Sequence, residues 1–192
     1  MHSLKRESSN DEASGALLSS RTAGELRSLC PTLYLSLNLV NALELKVPPL
    51  VLVLVLAVAM WFAAMQLPSF AITLPWRHGL PVTISGAGIL FILAGGYAFQ
   101  KAKTTVNPTK PDAASSVVTS GVYRLSRNPM YVGFLLALTG WATFLSHTLP
   151  FLLLPVFVAY MNRFQISPEE RALSAKFGDE YETYKHAVRR WL

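Results

Sequence analysis

Acidic residues and cysteine are scarce in this sequence, and charge of either sign is missing from long stretches of it. Only 11 of its 192 residues are Asp or Glu, against 17 Lys or Arg. Its single cysteine, Cys30, excludes an internal disulfide and a cysteine-ligated metal cluster. Residues 47–76, 79–100 and 128–162 contain no Asp, Glu, Lys or Arg. A soluble globular domain rarely lacks charge over such lengths, so this class of protein is disfavoured.

The uncharged stretches predict membrane-spanning helices. A bilayer core of about 30 Å is crossed by roughly 20 helical residues. The stretch 128–162 is too long for one crossing, and Pro150 and Pro155, after the break at Ser146-His147-Thr148, indicate two tilted helices. We therefore predict an all-α integral membrane bundle of about four transmembrane helices with a C-terminal helical hairpin. The predicted spans are 49–66, 82–100, one starting at Pro129 and one ending near Arg163.

Small residues on two of these spans predict close packing between helices. Gly86, Gly88, Gly95 and Gly96 lie on the second span, while Gly133, Ala137 and Gly140 recur at helical spacing on the third. Small residues let the backbones of membrane helices approach each other. A groove for a cofactor is the alternative interpretation of the glycines on the second span.

The basic residues predict an orientation in the membrane rather than a nucleic-acid partner. The net charge is +6, which by itself would be compatible with nucleic-acid binding. From Val40 onward, however, Lys and Arg concentrate at the connections on one side of a four-span chain, and the opposite connections hold only Arg77. The excess of positive charge in cytoplasmic loops makes the basic side, with the C-terminus and its amphipathic tail helices, cytoplasmic.

The first 39 residues differ in character from the rest of the chain. They mix Ser, Glu and Arg, and they lack the compact apolar core and small-residue cleavage site of a signal peptide. We expect residues 1–39 to be disordered or to precede the native start, with Val40 as a possible start. Residues 40–192 are then the membrane domain.

A short polar segment between apolar blocks, residues 117–131, is the most informative part of the sequence, and we refer to it as the neck. Gly121 supplies the backbone freedom that a turn needs. Pro129 suits the first position of a helix, where its missing N–H has no cost. Asn128, immediately before it, is a favourable N-cap residue. We therefore expect the third span to begin at Pro129.

The neck resembles the signature of the isoprenylcysteine carboxyl methyltransferase and phospholipid methyltransferase families of integral membrane enzymes. Their pattern, Gly-(Pro/Val)-Tyr and then Arg-His-Pro-x-Tyr-x-Gly, corresponds here to Gly121-Val122-Tyr123 and to RNPMYVG at 127–133, with Asn128 in place of the histidine. A second family element, Glu-Glu and later Phe-Gly-x-Glu-Tyr-x-x-Tyr, corresponds to Glu169-Glu170 and to FGDEYETY at 177–184. The resemblance covers residues 101–192.

The resemblance implies a bacterial-type inner-membrane enzyme that uses S-adenosylmethionine to methylate a lipophilic small molecule or lipid, at a carboxyl, thiol or amine. The cofactor positions implied by the family are Ser116, Val117, Val118, Tyr123, Asn128, Pro129, Met130, Tyr131 and Glu169. A carboxylate can hold the ammonium or a ribose hydroxyl of this cofactor. Tyrosines can cover its adenine or its sulfonium.

The family also implies a place for the substrate. In the carboxyl methyltransferases an arginine four residues before the first glutamate contacts the substrate, and that position is Gln165 here. Arg163 lies two residues away, so on a helix it would point elsewhere. Gln165 and Arg163 are the candidate substrate-binding residues, and a prenylcysteine carboxylate fits them poorly. No catalytic base and no metal ligand is assigned.

Several of these residues also have purely structural interpretations. Ser167-Pro168-Glu169-Glu170 matches a capping box, in which Glu170 returns to the Ser167 amide at a helix start and Glu169 stays available for the cofactor. A further helix is expected from Asp179 through Arg190. The alternatives are lipid-interface anchors for Arg124 and Arg127, an interface aromatic for Tyr131, and a loop residue for His147.

Two other functions stay open from the sequence. One is a membrane reductase of related fold that uses a nicotinamide cofactor, although the neck contains no Gly-rich phosphate-binding loop. The other is a non-catalytic membrane scaffold, in which the neck and the tail serve packing only.

Overall fold

The computed structural model describes residues 44–66, 79–103 and 115–192. The described residues all belong to one compact unit, Glu44–Leu192, and the expectations for residues 1–39 lie outside them. These residues contain helices and no strand. The helices are α1 (Pro49–Gln66), α2 (Gly79–Lys101), α3 (Pro129–Leu145), α4 (Thr148–Tyr160), α5 (Ser167–Phe177) and α6 (Asp179–Ala187), with a 3₁₀ turn at Gly121–Arg124 and a π-helical turn at Met161–Ile166.

The predicted all-α membrane bundle is confirmed. Three helical runs among the described residues are long and apolar enough to cross a membrane: α1, α2 and the continuous run Thr148–Phe177. The shorter α3 is also apolar and begins at Pro129, as expected. The first span has the predicted bounds, and the second is slightly longer than predicted. Large apolar side chains on α1 and α2 point outward, as lipid-facing residues do; they include Leu54, Val55, Val58, Val82, Leu90 and Leu93.

Glycines bring α2 and α3 into close contact. A methyl group built on Gly133 would lie 2.6 Å from the carbonyl oxygen of Gly88, and one built on Gly88 would lie 2.6 Å from the carbonyl oxygen of Gly133. Gly95 lies against the side chain of Met130 in the same interface. The close-packing prediction is therefore confirmed for Gly88 and Gly95. A methyl group built on Gly86 or Gly96 would meet no described residue within 4 Å, so the structure shows no close packing at these two glycines.

The helical hairpin predicted within residues 128–162 is present. The chain turns at Ser146, which adopts a left-handed conformation with φ 50°, and α4 begins two residues later. His147 lies in the connection between the two helices, as expected, and has a structural role there. His147 is buried, and its Nδ1 accepts a hydrogen bond from the amide of Leu149 at 3.2 Å, so it caps α4. An unpaired amide buried at this helix start would be costly, which explains the cap.

The helix α5 begins at Ser167 as predicted, but no break in the helix precedes it. The chain is helical without interruption from Thr148 to Phe177. Pro168 has no N–H for the carbonyl of Phe164, and a proline ring would clash with that carbonyl in a regular α-helix. The π turn accommodates the proline, and the Phe164 carbonyl instead accepts the amide of Leu45 at 3.0 Å. The misleading Ser-Pro-Glu-Glu pattern thus lies inside a helix.

The tail consists of two short helices joined at Gly178. Gly178 has φ 52°, which favours glycine, and α5 ends immediately before it as the sequence predicted. The last helix, α6, ends at Ala187 rather than at Arg190, because Val188 is extended with φ −128° and ψ 138°. Tyr181 and Tyr184 bury one face of α6 against Ala98 of α2 and Val118 and Tyr123 of the neck. The tail therefore packs directly on the neck.

Candidate functional site

The first half of the neck is anchored by aromatic packing. Gly121, with φ 63°, starts the 3₁₀ turn, and the turn places Tyr123 in the apolar cluster with Val118 and Tyr184. The hydroxyl of Tyr184 donates a buried hydrogen bond to the carbonyl of Tyr123 at 2.8 Å. Burial raises the pKa of the Tyr123 phenol well above its ordinary value, so this side chain stays a neutral hydroxyl. Contacts with the tail thus hold the first half of the neck in place.

The second half of the neck is held by backbone carbonyls near the C-terminus. The amide of Arg127 donates to the carbonyl of Arg189 at 2.9 Å. The carbonyl of Arg190 accepts from Asn128 Nδ2 at 2.9 Å and from the fully buried hydroxyl of Ser126 at 3.3 Å. Asn128 does occupy the position before α3, but its side chain does not cap the helix as predicted. The carbonyl of Arg190 needs hydrogen-bond donors, and the side-chain amide of Asn128 supplies one.

Three polar side chains meet where α3 begins beside α5. The hydroxyl of Tyr131 donates to Oε1 of Glu169 at 2.6 Å, and Nε2 of Gln165 donates to the same oxygen at 2.8 Å. Tyr131 and Gln165 are buried. We refer to Tyr131, Gln165 and Glu169 as the Glu169 cluster; it is a carboxylate whose Oε1 is held by two donors.

Glu170 does not close a capping box; this prediction is wrong. Ser167 lies inside a helical run, and its hydroxyl donates to the carbonyl of Asn162 at 2.6 Å. The buried carboxylate of Glu170 instead forms ion pairs with Nη2 of Arg127 at 3.0 Å and Nη2 of Arg190 at 2.5 Å. Arg190 also donates through Nε at 3.2 Å, so its contact with Glu170 is bidentate. The side chain of Arg127 is therefore buried in a pair with Glu170 and does not act as an anchor at the lipid interface.

Adjacent glutamates thus have different partners, as their divergence on a helix predicted. Glu169 faces the start of α3, and Glu170 faces the neck and the C-terminus. The guanidinium Nε of Arg127 is buried, and no described residue accepts a hydrogen bond from it.

Arg163 lies apart from the Glu169 cluster. Its Nη1 pairs with Oε1 of Glu44 at 2.7 Å, and Arg171 pairs with the other oxygen of Glu44 at 2.5 Å. The side chain of Arg163 is 45% exposed. The expectation that Arg163 points away from Gln165 is therefore confirmed.

The remaining residues implied by the resemblance are distributed around the neck. Pro129 is buried at the start of α3, and the Met130 side chain packs against Gly95 of α2. Val118 is buried in the tyrosine cluster, with Val117 packed against it, and Ser116 is half-buried just before them. The structure thus joins Tyr131, Gln165 and Glu169 by direct hydrogen bonds and does not join Met130 or Arg163 to them.

Sequence reasoning missed the residues that hold the neck in place. Ser126, Arg190 and the Glu170 ion pairs had no assigned role, and Tyr184 was noted only as part of a motif. The adjacent arginines near the C-terminus gave no specific signal for Glu170, because the tail carries acidic and basic residues in similar numbers. Their pairing depends on contacts over 20 and more residues, which local patterns do not reveal.

Comparisons of the sequence with known proteins identify a family for the chain. A sequence model of the family described as phospholipid methyltransferase matches residues 76–180, which is more than half of the chain. The chain is also similar to an uncharacterized protein of Haemophilus influenzae, with 48% identity over 63 residues that make up 33% of this chain and 100% of that protein. No solved structure matches the chain significantly. The matched region contains the neck, the hairpin and the Glu169 cluster.

Proposed function

The chain belongs to the phospholipid methyltransferase family, and we propose that it is a membrane methyltransferase that uses S-adenosylmethionine to methylate a lipophilic small molecule or lipid. The observation that carries this proposal is the Glu169 cluster, where a largely buried carboxylate is fixed by Tyr131 and Gln165 at the start of α3. We further propose that the neck and the C-terminus face the cytoplasm at a bacterial inner membrane, in keeping with the charge distribution.

The residues of the cluster fit the chemistry of this cofactor. Oε1 of Glu169 is occupied by two donors, and Oε2 can accept a hydrogen bond from the cofactor's ammonium or from a ribose hydroxyl. Tyr123 and Tyr131 supply aromatic rings near the carboxylate, and a ring face attracts a sulfonium by about 0.5–2 kcal/mol. Asn128 and Pro129 contribute the backbone at the start of α3. Met130 would contribute through its backbone, because its side chain packs on α2.

The protein contributes to the reaction by binding the cofactor and orienting it. When bound, S-adenosylmethionine supplies an electrophilic methyl group. Tyr131 and Gln165 lock the rotamer of Glu169, so the carboxylate does not have to be ordered when the ligand arrives. Positioning of this kind accounts for much of the gain in a two-substrate reaction. A carboxylate or thiolate acceptor is already ionised, whereas an amine or neutral hydroxyl must lose a proton.

The acceptor is expected to enter from the bilayer. The outward faces of α1 and α2 are apolar, and α2 packs along α3, which carries Tyr131. Gln165 presents a neutral amide at the candidate substrate position, and Arg163 is engaged by Glu44. A lipid headgroup or a lipophilic molecule with a carboxyl, thiol or amine is therefore the proposed substrate class.

The decisive experiment is a binding titration on Glu169→Gln. Glutamine keeps an acceptor for the Tyr131 hydroxyl, so the melting temperature should stay close to that of the parent. Loss of a charge-assisted hydrogen bond costs about 1.5–3 kcal/mol, which is roughly 10- to 150-fold in S-adenosylmethionine affinity. Glu180→Gln, an exposed carboxylate on α6, is the matched control. Equal affinities of Glu169→Gln and parent would refute the role of Glu169.

The same titration separates the alternatives for the parent protein. Binding of NADPH and not of S-adenosylmethionine would support the reductase, and binding of neither would support the scaffold. Product analysis with a labelled methyl donor in native lipid extract would then identify the acceptor.

A further inference from the structure

The last residues of the chain, 188–192, form a short non-helical segment, with bends at Val188 and Arg190, that we call the strap. The segment begins where α6 ends at Ala187 and Val188 takes extended dihedrals. Its carbonyls at Arg189 and Arg190 accept hydrogen bonds from the neck at Ser126, Arg127 and Asn128. The strap therefore supplies acceptors that buried polar groups of the neck would otherwise lack, and an unpaired buried donor is costly.

The strap also reaches the π turn on the other side of the site. Nε1 of Trp191 donates to Oδ1 of Asn162 at 3.0 Å. Asn162 lies in the same turn as Gln165, and Glu169 follows this turn in α5. One short segment thus contacts both the neck and the turn that carries Gln165 of the Glu169 cluster.

A charge cluster next to the site locks the strap in place. Glu170 is bound by Arg190 of the strap and by Arg127 of the neck, and the carboxylate side chain is only 10% exposed. Glu170 directly follows Glu169, and Arg127 directly precedes Asn128. The ion pairs therefore connect α5 to the neck. Each end of this connection lies one residue from a proposed cofactor-binding residue, Glu169 on α5 and Asn128 in the neck.

We propose that the strap sets the spacing between the neck and α5, with Arg190 as a positioning residue for cofactor binding. This inference rests on the proposed function. Arg190 is not itself a proposed cofactor contact; its side chain acts through Glu170, and its backbone carbonyl holds the side chain of Asn128. When a site is ordered only part of the time, the apparent affinity falls in proportion to the ordered fraction. Loosening the strap should therefore weaken cofactor binding even in a folded protein.

The test compares Arg190→Ala with Arg190→Lys and with Arg189→Ala. Lysine keeps the positive charge but cannot bond both oxygens of Glu170. Arg189 is exposed, and its side chain forms no hydrogen bond or ion pair among the described residues, so Arg189→Ala removes the same charge from the same segment. S-adenosylmethionine affinity is measured in detergent, well below the melting temperature of every variant. Amide hydrogen exchange of the neck is measured in parallel.

We expect Arg190→Ala to weaken S-adenosylmethionine binding about tenfold and to speed exchange in the neck, with Arg190→Lys intermediate and Arg189→Ala like the parent. If Arg190→Ala binds S-adenosylmethionine as tightly as the parent does, the proposal is overturned, whether or not the amide hydrogens of the neck exchange faster. If Arg190→Ala does not fold, Arg190→Lys decides by the same criterion. A parent that binds no S-adenosylmethionine would refute the proposed function and, with it, the role in binding. Exchange in the neck would still report separately whether the strap holds it.

Discussion

Replacing Glu170 by glutamine tests whether the ion pairs of this residue stabilise the fold. As a capping residue Glu170 would tolerate the change, since glutamine closes a capping box as well. The structure gives the opposite expectation. Glutamine would leave the Arg127 side chain, which is 11% exposed, without a counter-charge, and Arg190 would lose its bidentate partner.

The size of the effect follows from burial. Removing one partner of a buried ion pair costs about 3–5 kcal/mol. The Arg190 side chain is 37% exposed, so solvent screens its share, and we take the lower end, about 3 kcal/mol. For a chain of this size each kcal/mol shifts the melting temperature by about 2–4 °C, which predicts a fall of about 6–12 °C.

The assay is thermal unfolding of purified protein in one detergent at one scan rate, followed by intrinsic tryptophan fluorescence. Holding the scan rate constant matters because unfolding of membrane proteins is often irreversible. Glu180→Gln is again the control, since this exposed side chain forms no ion pair with a described residue. A melting temperature of Glu170→Gln equal to that of Glu180→Gln would refute the conclusion that the ion pairs of Glu170 stabilise the fold.

Two further predictions concern packing and topology. Gly133→Ala should lower the melting temperature by several degrees, because the added methyl meets the Gly88 backbone and overpacking costs about 1–3 kcal/mol. Gly86→Ala, with open space beside it, is the matched control, and an equal effect of both would contradict the packing at Gly133. Tags at Lys110 and at the C-terminus should both report the cytoplasm, and a tag at His78 the opposite side. A Lys110 tag on the opposite side would exclude the proposed orientation.

The sequence by itself determined the spans and the start of α3. A bilayer imposes a length and forbids charge, so uncharged stretches identify α1 and α2 without knowledge of any contact. Pro129 is favoured in the first turn of a helix, and Gly178 fits the left-handed region, so these boundaries are local properties. The family resemblance was also local, since its motifs are contiguous, and the matching family model confirms it.

Only the tertiary structure decided which buried polar groups pair with one another. Ser167-Pro168-Glu169-Glu170 has the same letters whether it starts a helix or continues one. What distinguishes the two cases is the carbonyl of Phe164, which accepts a hydrogen bond from the amide of Leu45, a residue far away in the chain. Glu170 likewise forms ion pairs with Arg127 of the neck and with Arg190 near the C-terminus. Buried polar groups must be paired, but their partners depend on which segments fold against each other, and no local pattern encodes that.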